Sequence, residues 1–116
     1  LEAVPADKVI NAIPFYTRAW TEVFGEAVPQ SEALGMDEAA AFAAEHGIVT
    51  SWDGAVGQNV GSAESGEARY SIWLEDERSI EEKMKLIQKY DLAGAAQWRL
   101  GFERASVWPI IDQYLQ

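Results

Sequence analysis

Aromatic side chains are the residues of this sequence whose type and position suggest binding chemistry. The 116 residues include five tryptophans, an unusual number for a chain of this length. Trp98 falls near the end of an apolar segment, and Tyr16 and Arg18 hold the equivalent position after an earlier one. An indole face suits the apolar face of a pyranose, while tyrosine and arginine hydrogen-bond its hydroxyls. The enrichment mildly favours a carbohydrate ligand, although spacing alone leaves core packing the better interpretation of Trp98.

Other candidate groups have simpler structural interpretations. His46 is the single histidine and ends an alanine-rich segment, where it would meet the negative end of a helix dipole. A metal site would need further ligands of this kind. Glu75, Asp76 and Glu77 could supply a carboxylate pair for glycoside hydrolysis. We interpret them instead as a solvated turn, with Asp76 assisting entry into the helix that follows.

The elements that must position these residues begin with an apolar run at residues 8–16, predicted to be a strand buried on both faces. Residues 1–6 look like the last turn of a helix, and residues 17–30 are aromatic and then turn-like, with Gly25 and Pro29. A helix is predicted over residues 36–46, with Gly47 as its C-terminal stop.

Two further strands are predicted at residues 48–60 and 67–74, with the polar residues 61–66 joining them into an antiparallel hairpin. Trp52 and Trp73 lie on this hairpin, and we expect them to pack across it.

The clearest helix is predicted at residues 79–90. Ser79 and Glu82 fit a capping box, and an apolar face recurs at helical spacing in Ile80, Met84, Ile87 and Tyr90. A second buried strand follows at residues 94–100. The last helix spans residues 106–115, with Ser106 as its cap and an inner face of Trp108, Ile111, Tyr114 and Leu115.

The sequence therefore predicts a strand–helix–strand crossover with an α+β insertion before its helix. The crossover consists of residues 8–16, 79–90 and 94–100. Two parallel strands cannot by themselves make a sheet covered on both faces, so we expect other strands to complete it. The side chains facing that missing sheet would be Ile10 or Asn11, Ile13, Ala96 and Trp98.

Composition excludes several classes of function. The formal net charge of -10 disfavours binding to nucleic acid and to anionic membrane surfaces. The absence of cysteine rules out disulfides, thiolate zinc sites and cysteine nucleophiles. No apolar run approaches the ~20 residues that cross a bilayer. No phosphate-binding loop, dinucleotide fingerprint or serine-hydrolase motif occurs, so we expect neither cofactor nor metal.

Three blocks resemble family 18 glycoside hydrolases: residues 13–20 (IPFYTRAW), 72–83 (IWLEDERSIEEK) and 92–103 (LAGAAQWRLGFE). They occur in the order and spacing of that family and span nearly the whole chain. The greatest similarity is to the spore-germination, peptidoglycan-lytic branch, whose members often carry LysM repeats; chitinases are better-known members.

The resemblance implies that residues 1–116 are the C-terminal part of a (β/α)8 TIM barrel, an α/β fold. Residues 8–16 and 94–100 would be strands seven and eight, and residues 30–75 a small α+β insertion. Trp98 matches the tryptophan that floors the subsite for the reacting N-acetyl sugar. Tyr16 and Arg18 match the substrate-facing end of strand seven.

This sequence departs from the family pattern in one decisive respect. The family's catalytic glutamate ends an Asp-x-x-Asp-x-Asp-x-Glu motif on strand four, which is absent here, as is the Met-x-Tyr block of strand six. A complete barrel needs about 250 residues. By resemblance the chain is a fragment of an enzyme that cleaves β-1,4-linked N-acetylglucosamine polymers by substrate-assisted retaining hydrolysis. We expect no catalytic residue within it and no activity from it alone.

Two alternatives remain at this level. The chain could be a non-catalytic carbohydrate-binding module, although such modules are usually antiparallel sandwiches. It could also be an interaction domain without a sugar ligand. As a barrel fragment, it is expected to form homo-oligomers through its exposed strands. The resemblance further implies a bacterial, secreted protein associated with the cell wall or spore, acting on chitin or peptidoglycan.

Overall fold

A computed structural model describes residues 1–115. It contains a two-stranded parallel pair and a five-stranded antiparallel sheet, each with its own helices. The strands are β1 (Ile10–Pro14), β2 (Thr17–Val23), β3 (Gln30–Leu34), β4 (Ser51–Asp53), β5 (Gln58–Ser65), β6 (Ala68–Leu74) and β7 (Gly94–Trp98). The helices are α1 (Met36–Glu45), α2 (Glu77–Tyr90) and α3 (Val107–Leu115).

The parallel pair confirms the predicted crossover. β1 and β7 run side by side in register from Ile10 opposite Gly94 to Pro14 opposite Trp98. A parallel pairing requires a crossover connection, and α2 lies in the link between the two strands. The carboxyl ends of both strands therefore meet at one edge, next to Trp98.

The antiparallel sheet has the strand order β3-β2-β6-β5-β4. The turn predicted around Gly25 and Pro29 lies between β2 and β3, but the aromatic part of residues 17–30, for which no strand was predicted, forms β2 and pairs with both β3 and β6. Its side chains alternate between buried and exposed, with Thr17 and Ala19 buried and Arg18 exposed. This alternation is the signature of a strand with one covered face. β2 thus lies in the same sheet as the strands of residues 30–75.

The predicted hairpin exists, but its bounds differ. Residues 48–60 divide into β4 and the start of β5, separated by a turn in which Asp53 Oδ1 accepts a hydrogen bond from the Ala55 amide at 2.9 Å. The hairpin between β5 and β6 turns at Gly66, whose φ of +60° favours glycine. Most of residues 61–66 therefore belongs to β5 rather than to a loop.

Residues 1–6 do not form the end of a helix. The chain makes a short 3-10 helix at Ala6–Lys8, closed by hydrogen bonds from the Lys8 amide to the Pro5 carbonyl and from the Val9 amide to the Ala6 carbonyl. The 3-10 helix does not continue further, because β1 begins at Ile10.

The N-cap of α2 lies three residues before the predicted N-cap, Ser79. Asp76 is the N-cap: its Oδ1 accepts from the Ser79 amide at 3.0 Å, while the Ser79 hydroxyl accepts from the Asp76 amide at 2.9 Å. Ser79 thus occupies the third helical position of the capping box, the place assigned to Glu82 from the sequence. The buried face of Ile80, Met84 and Ile87 is confirmed, whereas Tyr90 is exposed.

The final helix is confirmed, and its inner face is confirmed for Ile111, which is buried, and for Tyr114, which is partly buried against the core. α3 buries Val107 and Ile111, while Leu115 is exposed and Trp108 remains 39% exposed, its ring meeting the Phe15 ring edge-on at 5.5 Å. The Ser106 hydroxyl donates to Glu77 Oε1 at 2.6 Å, which ties the start of α3 to the start of α2.

Two hydrophobic clusters form the core. The first lies between the parallel pair and α2 and α3 and contains Ile13, Phe15, Met36, Ile80, Met84, Ile87, Val107 and Ile111. The second lies between α1 and the antiparallel sheet and contains Ala19, Leu34, Ala39, Ala43, Ile48 and Ile72. Met36 begins α1 yet belongs to the first cluster, so this residue joins the two halves.

The parallel pair is covered on only one face. Ile13 is 1% exposed and faces the helices, so its assignment to the open face is wrong. Asn11 also faces the helices, because its amide donates to the Lys83 carbonyl at 3.2 Å. The open face carries Ile10, which is 60% exposed, together with Ala12, Ala96 and Trp98.

Among residues 1–115, no helix is long and apolar enough to cross a membrane.

We predict that the two isoleucines of β1 differ sharply in their contribution to stability. Ile13→Ala should lower the free energy of unfolding by about 2–5 kcal/mol, because it leaves a cavity in the first cluster. In the monomeric form of residues 1–116, Ile10→Ala removes the same atoms from the uncovered open face and should cost less than about 1 kcal/mol. Urea unfolding of both variants of the isolated chain, at concentrations below those of self-association, measures the difference, and equal losses would contradict the assignment of faces.

Candidate functional site

An open groove lies at the carboxyl ends of β1 and β7. It has a volume of about 380 Å³ and is lined by Ala12, Ile13, Pro14, Tyr16, Ala96, Gln97 and Trp98. Trp98 is the last residue of β7 and is 66% exposed, although it is a large aromatic residue. The structure therefore places Trp98 on an open groove and not in the core, and it brings Tyr16 to the same groove.

Tyr16 follows β1 directly and also reaches a second groove. Its neighbour Phe15 donates from its amide to the Trp98 carbonyl at 2.6 Å, which fixes the chain leaving β1 beside the end of β7. The second groove has a volume of about 330 Å³ and is lined by Pro14, Tyr16, Arg18, Trp20, Gln58, Trp73 and Glu75. Pro14 and Tyr16 line both grooves, so the two are contiguous.

Arg18 lies in the second groove and not in the first. It is exposed on β2, and its guanidinium Nη1 donates to the Ser31 hydroxyl of β3 at 2.9 Å. The three substrate-binding candidates thus do not converge on one point. Trp98 and Tyr16 share the first groove, Tyr16 and Arg18 share the second, and Tyr16 is the residue between them.

Glu75 corrects the interpretation of residues 75–77 as a solvated turn. This residue is only 4% exposed. Lys83 Nζ donates to both of its carboxylate oxygens at 2.9 and 3.0 Å, the Ser79 hydroxyl donates to Oε2 at 2.8 Å, and the Gln58 amide donates to Oε1 at 2.6 Å. A carboxylate removed from water requires partners of this kind.

The environment of Glu75 has opposing effects on its pKa. Burial raises the pKa above the ordinary value of a glutamate and is the larger effect, while the nearby Lys83 ammonium and the hydrogen bonds to Lys83 and Ser79 lower it. Asp76 caps α2 and accepts a hydrogen bond from the Asn59 amide at 2.7 Å. Because both side chains are already engaged in these structural contacts, they do not form a free acid–base pair.

Thr17 connects Glu75 to the two grooves. It is buried, and its hydroxyl oxygen accepts a hydrogen bond from the Glu75 amide at 2.8 Å. Since Thr17 lies between Tyr16 and Arg18 in sequence, the contact fixes the backbone that presents both side chains.

The sequence analysis missed Glu75 and Trp73 as groove residues. The alternation along β6, where Ile72 is buried and Trp73 exposed, was the available signal for Trp73.

The remaining candidates lie away from the grooves. Trp52 and Trp73 do not pack on each other: the Arg78 guanidinium lies 3.8 Å from the centre of the Trp52 ring, and Trp73 lines the second groove. His46 is the C-cap of α1, as its position in the sequence indicated, and its ring stacks on Tyr70 at 3.8 Å. Within residues 1–115, no group of three or more His, Cys, Asp or Glu residues could hold a metal ion.

We predict that Glu75 makes stability depend on pH. The folded-state pKa is raised, so the folded protein binds this proton more readily than the unfolded chain does. The stabilisation that comes from this tighter proton binding is fully present below the unfolded-state pKa of about 4.3. It is lost as pH rises through the folded-state pKa. The unfolding free energy of the wild type should therefore fall relative to that of Glu75→Gln, which does not titrate, as pH rises from about 4.

Denaturant unfolding at a series of pH values measures this difference. Glu81→Gln is the matched control, because Glu81 lies on the same helix α2 outside the Glu75 network. A difference between wild type and Glu75→Gln that stays constant with pH, or that moves in favour of the wild type, would contradict the raised pKa.

The chain is similar in sequence and in fold to part of known cortex-lytic enzymes and chitinases. The chain is 26% identical to the cortical fragment-lytic enzyme of Bacillus subtilis, with 98% of this chain and 27% of that protein aligned. It is 22% identical to the cortical fragment-lytic enzyme of Bacillus anthracis, with 93% and 25% aligned. The chain therefore spans about a quarter of the length of these curated relatives. No family profile matches it.

Solved structures show the same relationship. A chitinase from Chromobacterium violaceum superposes with a TM-score of 0.83 at 27% identity, covering 98% of this chain and 35% of that one. The chain is homologous to glycoside hydrolase family 18 chitinases and spore cortex-lytic enzymes. The spore cortex-lytic enzyme SleL of Bacillus megaterium, at 24% identity, shares the fold with a TM-score of 0.85, covering 99% of this chain and 27% of that one.

Proposed function

We propose that this chain forms the C-terminal part of a (β/α)8 barrel that hydrolyses β-1,4-linked N-acetylglucosamine polymers. In this arrangement β1 and β7 are barrel strands seven and eight, with α2 and α3 as their helices. The insertion between strand seven and its helix comprises residues 30–75 together with β2, because β2 belongs to the same sheet. The parallel register of β1 and β7 and the crossover through α2 support this placement.

The observation that carries the proposal is the shared groove of Trp98 and Tyr16 at the carboxyl ends of two parallel strands. Active sites of barrel enzymes lie at this end of the strands. The exposed indole of Trp98 offers an apolar face on which a sugar ring can stack, and the Tyr16 hydroxyl can hydrogen-bond the sugar. Arg18, in the contiguous groove, can bind hydroxyl or carbonyl oxygens of a neighbouring sugar unit.

In the proposed reaction the groove binds and orients the sugar but supplies no proton. A glutamic acid from another barrel strand would protonate the leaving oxygen, and the substrate's own N-acetyl group would attack the anomeric carbon. We therefore assign no catalytic role to any residue of this chain. The named relatives act in the spore cortex or carry the name chitinase, which supports a secreted bacterial protein associated with a spore or cell wall.

We predict that Trp98→Ala weakens saccharide binding in the complete protein. Loss of a large aromatic contact at a binding site should cost roughly 1–3 kcal/mol. Titration calorimetry with a non-hydrolysable, thio-linked N-acetylglucosamine tetrasaccharide measures the affinity. Trp52→Ala is the control, since Trp52 stacks on Arg78 outside both grooves and should leave binding unchanged. An unchanged affinity for Trp98→Ala, with only a lower melting temperature, would show that Trp98 has a purely structural role.

We also predict that residues 1–116, prepared alone, behave as an incomplete barrel. A fluorogenic chitobioside should not be hydrolysed, because loss of general acid catalysis alone costs about 10²–10⁴ in rate.

The open face with Ile10, Ala12 and Ala96 should drive two copies to associate, and sedimentation equilibrium at micromolar concentration would detect the dimer. A stable monomer that binds oligosaccharide tightly would favour the alternative of a non-catalytic carbohydrate-binding module.

A further inference from the structure

A loop of residues 99–106 leads from Trp98, the last residue of β7, to the start of α3. The Trp98 side chain is mostly exposed, so neighbouring side chains restrain its indole only weakly. On the strand side its backbone is fixed, because the Trp98 carbonyl accepts a hydrogen bond from the Phe15 amide. On the other side, the position of the indole depends on how the loop is held.

The first support of the loop is a backbone contact with α1. The Phe102 amide donates to the Arg99 carbonyl at 3.2 Å, which closes a turn directly after Trp98. The Phe102 carbonyl in turn accepts from the amide of Met36, the first residue of α1, at 2.7 Å. Gly35 makes this approach possible: a Cβ at that position would lie 3.2 Å from the Phe102 carbonyl oxygen, closer than Cβ atoms usually come.

Arg104 adds side-chain bonds that join the loop to two helices. Its Nε donates to Asp37 Oδ1 at 2.8 Å and its Nη2 to the Met36 carbonyl at 3.4 Å, both in the first turn of α1. Its Nη1 donates to Glu77 Oε2, in the first turn of α2, at 3.4 Å. The Ser106 hydroxyl bond and, to a smaller extent, the Arg104 charge hold the pKa of Glu77 below its usual range, so this partner is charged at neutral pH.

These contacts fix geometry more than they add stability. The Asp37 side chain is 85% exposed, and ion pairs open to water contribute little to the free energy of unfolding. A guanidinium is nevertheless planar, with donors in fixed directions, so it sets the relative placement of the groups it bonds. Removing it should therefore leave the chain folded while releasing the loop from the two helices.

We propose that Arg104 is a positioning residue for the groove at Trp98. It joins the loop that follows Trp98 to the first turns of α1 and α2, and thereby holds the indole where a sugar ring can stack on it. This inference rests on the proposed function, because it takes Trp98 as the stacking residue. Arg104 lines neither groove, so its effect on binding should disappear when Trp98 is removed.

A double-mutant cycle on the complete protein tests this role, with titration calorimetry against the thio-linked N-acetylglucosamine tetrasaccharide. Arg104→Met keeps an apolar stem without the guanidinium and should weaken binding roughly three- to tenfold, a coupling typical of residues in one network. In a protein that already carries Trp98→Ala, the same change should alter the affinity by less than about twofold. Lys85→Met is the matched control, because it removes a cation from the exposed pair with Glu82 and should leave binding unchanged.

Fluorine NMR reads the position of the indole directly. With 5-fluorotryptophan incorporated, the Trp98 signal is assigned by its loss in Trp98→Phe. Arg104→Met should shift or broaden this signal in the absence of ligand, because the released loop occupies more than one position. Lys85→Met should leave it unchanged. A role in stability alone would lower the melting temperature without altering the Trp98 signal of the folded protein, and that result would overturn the positioning role.

The two proposals fail in different ways. If Trp98→Ala leaves the tetrasaccharide affinity unchanged, the proposed function itself fails. If Trp98→Ala weakens binding but Arg104→Met does not, or weakens it equally with and without Trp98, the positioning role is wrong and the proposed function stands.

A second variant covers the case in which Arg104→Met does not fold. Asp37→Ala removes the acceptor of the shortest Arg104 bond from a residue too exposed to support the core. It should weaken tetrasaccharide binding by part of the same factor, and only while Trp98 is present. An unchanged affinity would overturn the positioning role.

Discussion

The buried ion pair between Glu75 and Lys83 is the interaction on which the rest of the structure depends. Removing a carboxylate from water is costly, and its hydrogen-bond partners offset that cost only in part when burial still raises the pKa. For Glu75 these partners are Gln58 of β5 and Ser79 and Lys83 of α2. Two elements, β5 and α2, thus converge on one carboxylate at the end of β6, which ties the antiparallel sheet to α2.

The same junction sets the geometry of the grooves. The Glu75 amide is bonded to Thr17, which holds the start of β2 against the end of β6. Tyr16 and Arg18 flank Thr17, so the backbone that presents both side chains is anchored to Glu75. Binding residues in proteins are generally precise when they stand on rigid elements with supporting hydrogen bonds. Here the support comes from a buried carboxylate, whereas Tyr16, Trp20, Trp73 and Trp98 supply the aromatic side chains of the two grooves.

The parallel pair imposes the second constraint. Its helix-facing side is filled by Ile13 and Phe15, while its open side carries the small side chains Ala12 and Ala96 next to Trp98. An exposed apolar surface of this kind marks an interaction site in a soluble protein. The chain spans about a quarter to a third of the length of its relatives, and in the barrel that we propose this surface would face further strands.

Local sequence patterns determined much of this fold. The apolar run before Tyr16, the period of Ile80, Met84 and Ile87, and the small apolar run that ends at Trp98 predicted the crossover, because each depends only on neighbours along the chain. The same patterns placed Trp98 and Tyr16 at the carboxyl ends of the strands, and the three similar blocks pointed to the family. What they left open was which side of each element would be covered.

Only the tertiary structure decided the burial of Glu75, the face of Ile13 and the division of the candidates between two grooves. Glu75 is buried because Gln58, 17 residues before it, and Lys83, eight residues after it, meet there. Ile13 rather than Ile10 is buried because α2 and α3 cover one side of β1. Arg18 is separated from Trp98 because β2 leaves the parallel pair for another sheet. Such pairings are set by contacts between residues distant in sequence, and local periodicity does not encode them.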